Sequence, residues 1–314
     1  MLRLIVTRLL TLVPMMFLIA SVVFFMVRFV PGDPARIMVG GQHITQANLE
    51  AIRKQYRLDK PLLVQYGYWV RDMTHGNLGR SFRQRKEVRS LIMDRLPITL
   101  KLAALAFLIS LLISIPLGIL AAVKRNTWID VAATVFSLLG ASSPVFLTSI
   151  LMILLFSYEL NWLPALGRGE GGFDEFKHLL MPSFALGFAV AAISTRIARS
   201  AMIEALTQDY IETARAKGLS MRSIVLKHAF RNALVPVITV AGLQFGSLLV
   251  GTVLVDYVFG LGGLGGLLID AVQRRDYPVV QGMTIFIAAV FIVINLLVDV
   301  LYGIVDPRVR YGGR

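Results

Sequence analysis

IETARAKGLSMRSIVLKHAFRNALVP, residues 211–236, is a basic hydrophilic stretch broken by one glycine and set between two long apolar runs. Seven basic residues lie in and just before it (Arg196, Arg199, Arg215, Lys217, Arg222, Lys227 and Arg231), with three acids, Glu204, Asp209 and Glu212. Each such charge would cost about 2.5–3.5 kcal/mol at mid-bilayer, so the segment does not cross a membrane. Its pattern predicts two short helices and a tight turn. Asp209 can cap the first helix, which Ala214 and Ala216 favour, and Gly218 suits the left-handed position that ends it. Ser220 can cap the second, on which Ile224 and Ala229, and one face round Leu226 and Phe230, offer apolar surface. Pro236 suits the first turn of the apolar run that follows. A first helix this short is not stable alone in water, so something must hold it. Anionic headgroups would account for the charge at about 1 kcal/mol per Lys or Arg. They give no reason for a tight turn, whereas docking of a partner protein does.

Outward from this stretch, the chain is mostly oil. Of 314 residues 56% are hydrophobic and only 16% charged. Soluble domains carry near a quarter charged residues, which makes this an integral membrane protein. Lys and Arg number 32 against 19 acids, but they flank apolar runs instead of forming one patch, which argues for the bilayer and against nucleic acid. The absence of cysteine excludes disulfides and thiolate chemistry, and His43, His75, His178 and His228 lack ligand spacing, so no metal site is expected.

Six runs approach the roughly 20 apolar residues a membrane helix needs: 9–30, 102–123, 131–156, 179–198, 234–254 and 283–305. The first contains Pro14, is long, and lacks a small-residue cleavage site, so it is read as a retained span. With the N-terminus inside, cytosolic segments hold fourteen Lys/Arg and the two short outer loops hold four. That asymmetry predicts both termini in the cytosol. The organisation expected is an N-terminal span (1–30), an outer helical loop (31–97), a five-helix core (98–307) with a cytosolic loop (199–233), and a tail (308–314). In the outer loop Leu49, Ile52 and Tyr56 recur at helical spacing, and Pro61 precedes Leu62, Tyr66 and Trp69. Two amphipathic helices are expected there, either as a lid or as a docking surface.

Within the spans, Asn295 and Asp299 share one helix face with Tyr302 and Asp306. Asp299 is read as the only acid well inside a span, either a proton-relay group or the structural partner of Arg8 or Arg196. Gly242 and Gly246 give the fifth span a small face, for packing inside the subunit or at a seam with another. Pro144 is expected to kink the third span. No G-x-x-x-x-G-K-[ST] occurs, so any ATP is bound elsewhere. Gly260, Gly262 and Gly265 match a dinucleotide fingerprint by chance, following a membrane helix instead of a strand; they read as a flexible turn.

Glu212-Thr213-Ala214 followed by Gly218 resembles the Glu-Ala-Ala-x-x-x-Gly motif of membrane subunits of binding-protein-dependent ABC importers. TARAKGL with HAFRNALVPVIT is similar to the branch handling di- and oligopeptides, glutathione and nickel. PGDP (31–34), LDKPLLVQY (58–66), GNLGRSF (76–82), RRDYPVVQG (274–282) and NLLVDVLYGIVDPRVRY (295–311) extend the likeness from end to end. Thr213 stands where the motif is named for Ala, and FGLGGLGGL (259–267) replaces the family's Trp-Pro-Gly-Leu-Gly.

The resemblance implies an all-α type I importer fold in a bacterial or archaeal inner membrane. It implies a coupling helix at Glu212, Thr213, Ala214, Arg215, Lys217, Gly218 and Leu219, supported by Asp209, His228, Arg231, Asn232 and Pro236. It also implies a second related permease subunit as a heterodimer partner, two cytosolic ATPase subunits carrying ATP and Mg, and an external binding protein. The chain itself would hold no cofactor and do no covalent chemistry. A stand-alone secondary transporter or channel using Asp299 is the competing reading; it would need several midplane ion-coupling groups or an internal repeat, and the sequence offers one acid and no repeat. A membrane enzyme ranks third, for want of a Ser/His/Asp or HExxH set.

Overall fold

A computed structural model describes the backbone of residues 2–29, 35–36, 45–55 and 57–305, without the side chains of 2–9, 11, 48, 52, 55 and 299–305. The stretch PGDP, Tyr56, Asp306 and the tail lie outside the described residues, as do the side chains of Arg8, Ile52, Asp299 and Tyr302. Five helices are long and apolar enough to cross a bilayer. They are α1 (Leu2–Phe29), α4 (Val88–Val123), α7 (Gly172–Leu206), α9 (Met221–Phe259) and α11 (Tyr277–Val305).

The sixth crossing is broken. Where the sequence predicts a kinked span over 131–156, two helices, α5 (Trp128–Ser142) and α6 (Val145–Glu159), meet at 104°. Ser143 and Pro144 both take extended backbone, with ψ of 121° and 132°. Proline offers no N–H to continue the ladder and pushes its predecessor out of the helical region, so the expected kink becomes a break. The pair still passes from one side of the bundle to the other. At its start Asp130 is paired with Arg199 near the end of α7, and beyond its end the Gly167 N–H bonds the carbonyl of Phe259, the last residue of α9.

Two faces follow from this topology. The turn face carries the α7–α9 connection, and the loop face carries the described residues between α1 and α4. The connection holds a short helix, α8 (Asp209–Ala216). Helix α7 sits centrally against α4, α5, α6 and α9. Gly187 lies so close to the Ala106 carbonyl that a Cβ there would overlap it, and small residues let α4 and α7 run side by side in parallel. Helix α4 has 36 residues, about 54 Å at 1.5 Å each. It outreaches a hydrocarbon core of roughly 30 Å and runs through the 97/98 boundary drawn from the sequence. Gly242 and Gly246 settle on α11, against Val298 and Phe291, so that small face is internal packing.

On the loop face lie α2 (Gln46–Gln55) and α3 (Leu62–Thr74). Tyr66 and Trp69 of α3 pack on α1: the Tyr66 ring stacks on Phe25 at 5.4 Å, Trp69 meets Phe24 at 5.1 Å, and the Tyr66 hydroxyl bonds Ser21 at 2.6 Å.

The 259–267 segment, expected to be flexible, is tightly built. Asp256, 1% exposed, accepts the N–H groups of Gly263 (2.9 Å) and Gly266 (2.7 Å), while the Leu264 N–H bonds Thr99 Oγ1 at 3.0 Å. A Cβ at Gly265 would overlap the Val253 backbone. These glycines serve close approach, and they open an unpredicted apolar helix, α10 (Leu264–Gln273). Asp256 is a further acid on a crossing helix, in its last turn. The sequence ends that span at residue 254; the helix continues to Phe259.

Candidate functional site

Helix α8 is held by its inner edge. Ile211 (1% exposed) and Ala214 (5%) are its buried residues, packed with Met202 and Ala205 of α7, Ala122 of α4, and Ile224, Val225 and Ala229 of α9. Burying an isoleucine contributes about 1.5–3 kcal/mol, enough to hold an eight-residue helix that would melt alone. Charge placement helps: Asp209 and Glu212 lie in the first turn and Arg215 in the last, each favourable to the helix dipole. Asp209 does not cap the helix as predicted. Gln208 occupies the cap position with no side-chain bond, and Asp209 is the first helical residue.

The C-terminal end is a Schellman motif. Leu219 N–H bonds Ala214 O at 3.3 Å and Gly218 N–H bonds Arg215 O at 2.9 Å, with Gly218 at φ +73°. Ser220 then caps the next helix, its hydroxyl accepting the Ser223 N–H at 3.4 Å. That helix does not stop before the fifth span. It continues as α9 through a π-helical turn, Ile224–Ala229, and carries Pro236 in its interior instead of its first turn. A membrane helix tolerates such a proline because local adjustments and neighbours re-satisfy the freed carbonyl.

The predicted coupling residues divide by direction. Ala214 points into the fold and anchors the helix. Glu212, Thr213, Arg215, Lys217, Gly218 and Leu219 are exposed, joined by Ala216 and the apolar tips of Leu219 and Met221. Among the supporting residues, Arg231, Asn232 and Pro236 are exposed and His228 is half-buried on α9. None of the charged side chains on α8 has a side-chain partner among the described residues. The result is an exposed, mixed-charge edge on a short anchored helix.

Beside it lies a group that sequence reasoning missed. Asp130, at the start of α5, takes two bonds from Arg199, the Nη2 one at 2.8 Å, and a third from the Asn126 N–H at 3.0 Å. This ion pair fastens α5 to the end of α7 just above α8. Spacing gives no sign of it, since the partners are 69 residues apart. Asn295 faces Gly246, its Oδ1 at 3.8 Å from where a Cβ would stand, so it serves the α9–α11 contact. Arg196, offered as a partner for Asp299, is exposed.

A helical bundle with one broken crossing and a protruding capped helix is the architecture of a multi-pass membrane protein, and the family follows from comparison. Residues 114–311 match the family described as binding-protein-dependent transport system inner membrane component, and residues 1–103 match its N-terminal companion. The chain belongs to that family: it is a multi-pass bacterial inner-membrane permease subunit of an ABC importer, and does no catalysis itself. It is 42% identical over 311 residues to the glutathione transport system permease protein GsiC of Escherichia coli O6:H1, covering 99% of this chain and 100% of that one. A putative peptide transport system permease of Brucella abortus is 42% identical over 302 residues, covering 95% and 96%. Among solved structures, an inward-facing MetNI methionine ABC transporter superposes with a TM-score of 0.55 at 18% identity, covering 69% of this chain and 97% of that one. An amino acid ABC transporter with histidines gives 0.52 at 21% identity, covering 70% and 94%. These two establish the fold.

Proposed function

We propose that this subunit forms half of the path for a peptide-type solute, with glutathione or a short peptide as the class, and that α8 is the point where a cytosolic ATPase subunit grips it. A second, related permease subunit completes the path, an external binding protein delivers the solute to the loop face, and ATP with Mg resides on the two ATPase subunits. The turn face is then cytosolic, as the Lys/Arg asymmetry favours, and both termini lie there. The solute class rests on likeness to the glutathione and peptide permeases at 42% identity.

The observation carrying the docking reading is the Gly218 turn. It lifts Glu212, Thr213 and Arg215 through Leu219 away from the bundle while Ile211 and Ala214 tie the helix to the ends of α4, α7 and α9. A push on this edge reaches three crossings at once. Gly218→Val tests it. A Cβ at Gly218 meets nothing within 4 Å, so the substitution acts only through the positive φ, at about 1–2 kcal/mol. Expected are normal membrane insertion, loss of ATPase co-purification and loss of uptake, with rescue by Gly218→Asn, which tolerates the left-handed region. Uptake at the wild-type rate in the valine variant would overturn the docking role.

A further inference from the structure

On the loop face a cleft of about 270 Å³ opens between the outer end of α1, the side of α3, the 77–82 segment and the start of α11. Three of its lining side chains bring buried polar atoms that find no partner among the described residues: Arg28 Nε, Gln65 Oε1 and Gln281 Nε2. Gln281 is only 8% exposed. Buried polar atoms are nearly always satisfied, so three orphans around one cavity call for a ligand. Their chemistry is specific. Arg28 and Gln281 offer hydrogens beside a guanidinium charge. Gln65 offers an oxygen, because its Nε2 is already spent on the Lys60 carbonyl at 2.8 Å. The neighbouring Arg57 is engaged, lying over Tyr68 at 4.2 Å and ion-paired with Asp72 at 3.6 Å. The ligand therefore carries an anionic acceptor next to a hydrogen donor.

Position selects among such ligands. Helix α1 sits at the edge of the bundle with α11 as its main neighbour, away from the central α4–α7–α9 packing. Arg28 is the penultimate residue of the α1 apolar run, and the end of such a run is where headgroups meet a membrane helix. The helices that form the cleft also expose large apolar side chains: Met26 (60% exposed) and Phe29 (76%) on α1, Leu63 (74%) on α3. We propose that the cleft holds the headgroup of a phospholipid from the leaflet on the loop face. Its phosphate takes the hydrogens of Arg28 and Gln281, its ammonium or hydroxyl head donates to Gln65 Oε1, and its acyl chains lie along the exposed apolar side chains. A choline head, with no hydrogen to give, does not satisfy Gln65.

The site depends on the membrane setting alone, so it survives even if α8 proves not to dock an ATPase. The test places the whole importer in phosphatidylcholine nanodiscs doped with equal phosphatidylethanolamine and phosphatidylglycerol, and reads retained lipid by native mass spectrometry. Ethanolamine- and glycerol-headed lipids should be retained about tenfold over choline lipid, the weight of a charge-assisted hydrogen bond. Gln65→Leu should erase that preference, and Gln281→Leu should lower the retention of all three lipids alike. Removing an orphaned buried amide does not cost folding, so the Gln281→Leu melting temperature in choline-only discs should equal or exceed wild type. Equal retention of all three lipids by wild type, or an unchanged preference in Gln65→Leu, overturns the proposal. So does equally tight binding of glycerophosphoethanolamine without acyl chains, or recovery of a bound peptide in place of lipid.

Discussion

On the loop face Asp256 and Asp276 are sealed in, 1% and 3% exposed, while on the turn face Asp209 and Glu212 stand in water without side-chain partners among the described residues. Asp256 holds the Gly263 and Gly266 N–H groups. Asp276 receives the Ser81 hydroxyl and the N–H groups of Phe82 (3.1 Å) and Arg83 (3.3 Å), joining GNLGRSF to RRDYPVVQG across 195 residues of chain. These two loop-face carboxylates are thus satisfied internally. The two on α8 are left for something else to satisfy. Under the proposed docking role, those free charges become bonds only in the complex.

The contrast is tested first at its most buried member. Asp256→Ala strands two amide hydrogens in a dry pocket and removes an ionic acceptor from each, a loss of roughly 3 kcal/mol or more. The expected result is a subunit that melts well below wild type in detergent and assembles poorly. If its melting temperature is unchanged, the 256–266 turn is not the lock described. Next comes Asp276→Asn. The carboxamide keeps one acceptor oxygen but loses the charge and presents hydrogens to hydrogens, so about 1–2 kcal/mol should go. Limited proteolysis reads it: cleavage should rise within 77–87, and an unchanged pattern would mean that loop is held by other contacts.

Run length and residue type reveal part of this organisation. Six apolar runs forecast the crossings, and Gly218 and Ser220 forecast a turn because a left-handed position and a cap depend on local chemistry alone. The third crossing is legible as interrupted at Pro144, but the size of the break depends on Ser143 also becoming extended. Pro236 misleads, since a proline that starts helices in water can sit inside one in a membrane. Asp256 is hidden for a different reason. Its surroundings come from residues 263 and 266 and from Thr99 on α4, and a glycine-rich segment reads as loose until the backbone it must approach is known. The Asp130–Arg199 pair and the Asp276 clasp are long-range for the same reason. Likeness to the family motif groups the residues proposed for coupling, but does not show that Ala214 faces inward.

The smallest effect on stability is expected where the largest effect on function is proposed. Glu212 is exposed in the first turn of α8, where a carboxylate contributes roughly 0.3–1 kcal/mol through the helix dipole and nothing through buried contacts. Glu212→Ala should therefore leave the melting temperature of the isolated membrane subunits within a degree or two of wild type, while ATPase subunits cease to co-purify. Asp256→Ala should show the reverse order, with a damaged fold. Where any ATPase still binds, its affinity per folded subunit should be unaltered. A Glu212→Ala variant that melts as early as Asp256→Ala would make α8 part of the scaffold and not a handle. One that neither melts early nor loses the ATPase subunits would move the grip to the remaining exposed edge, Arg215 through Leu219, where the same pair of measurements can be repeated residue by residue.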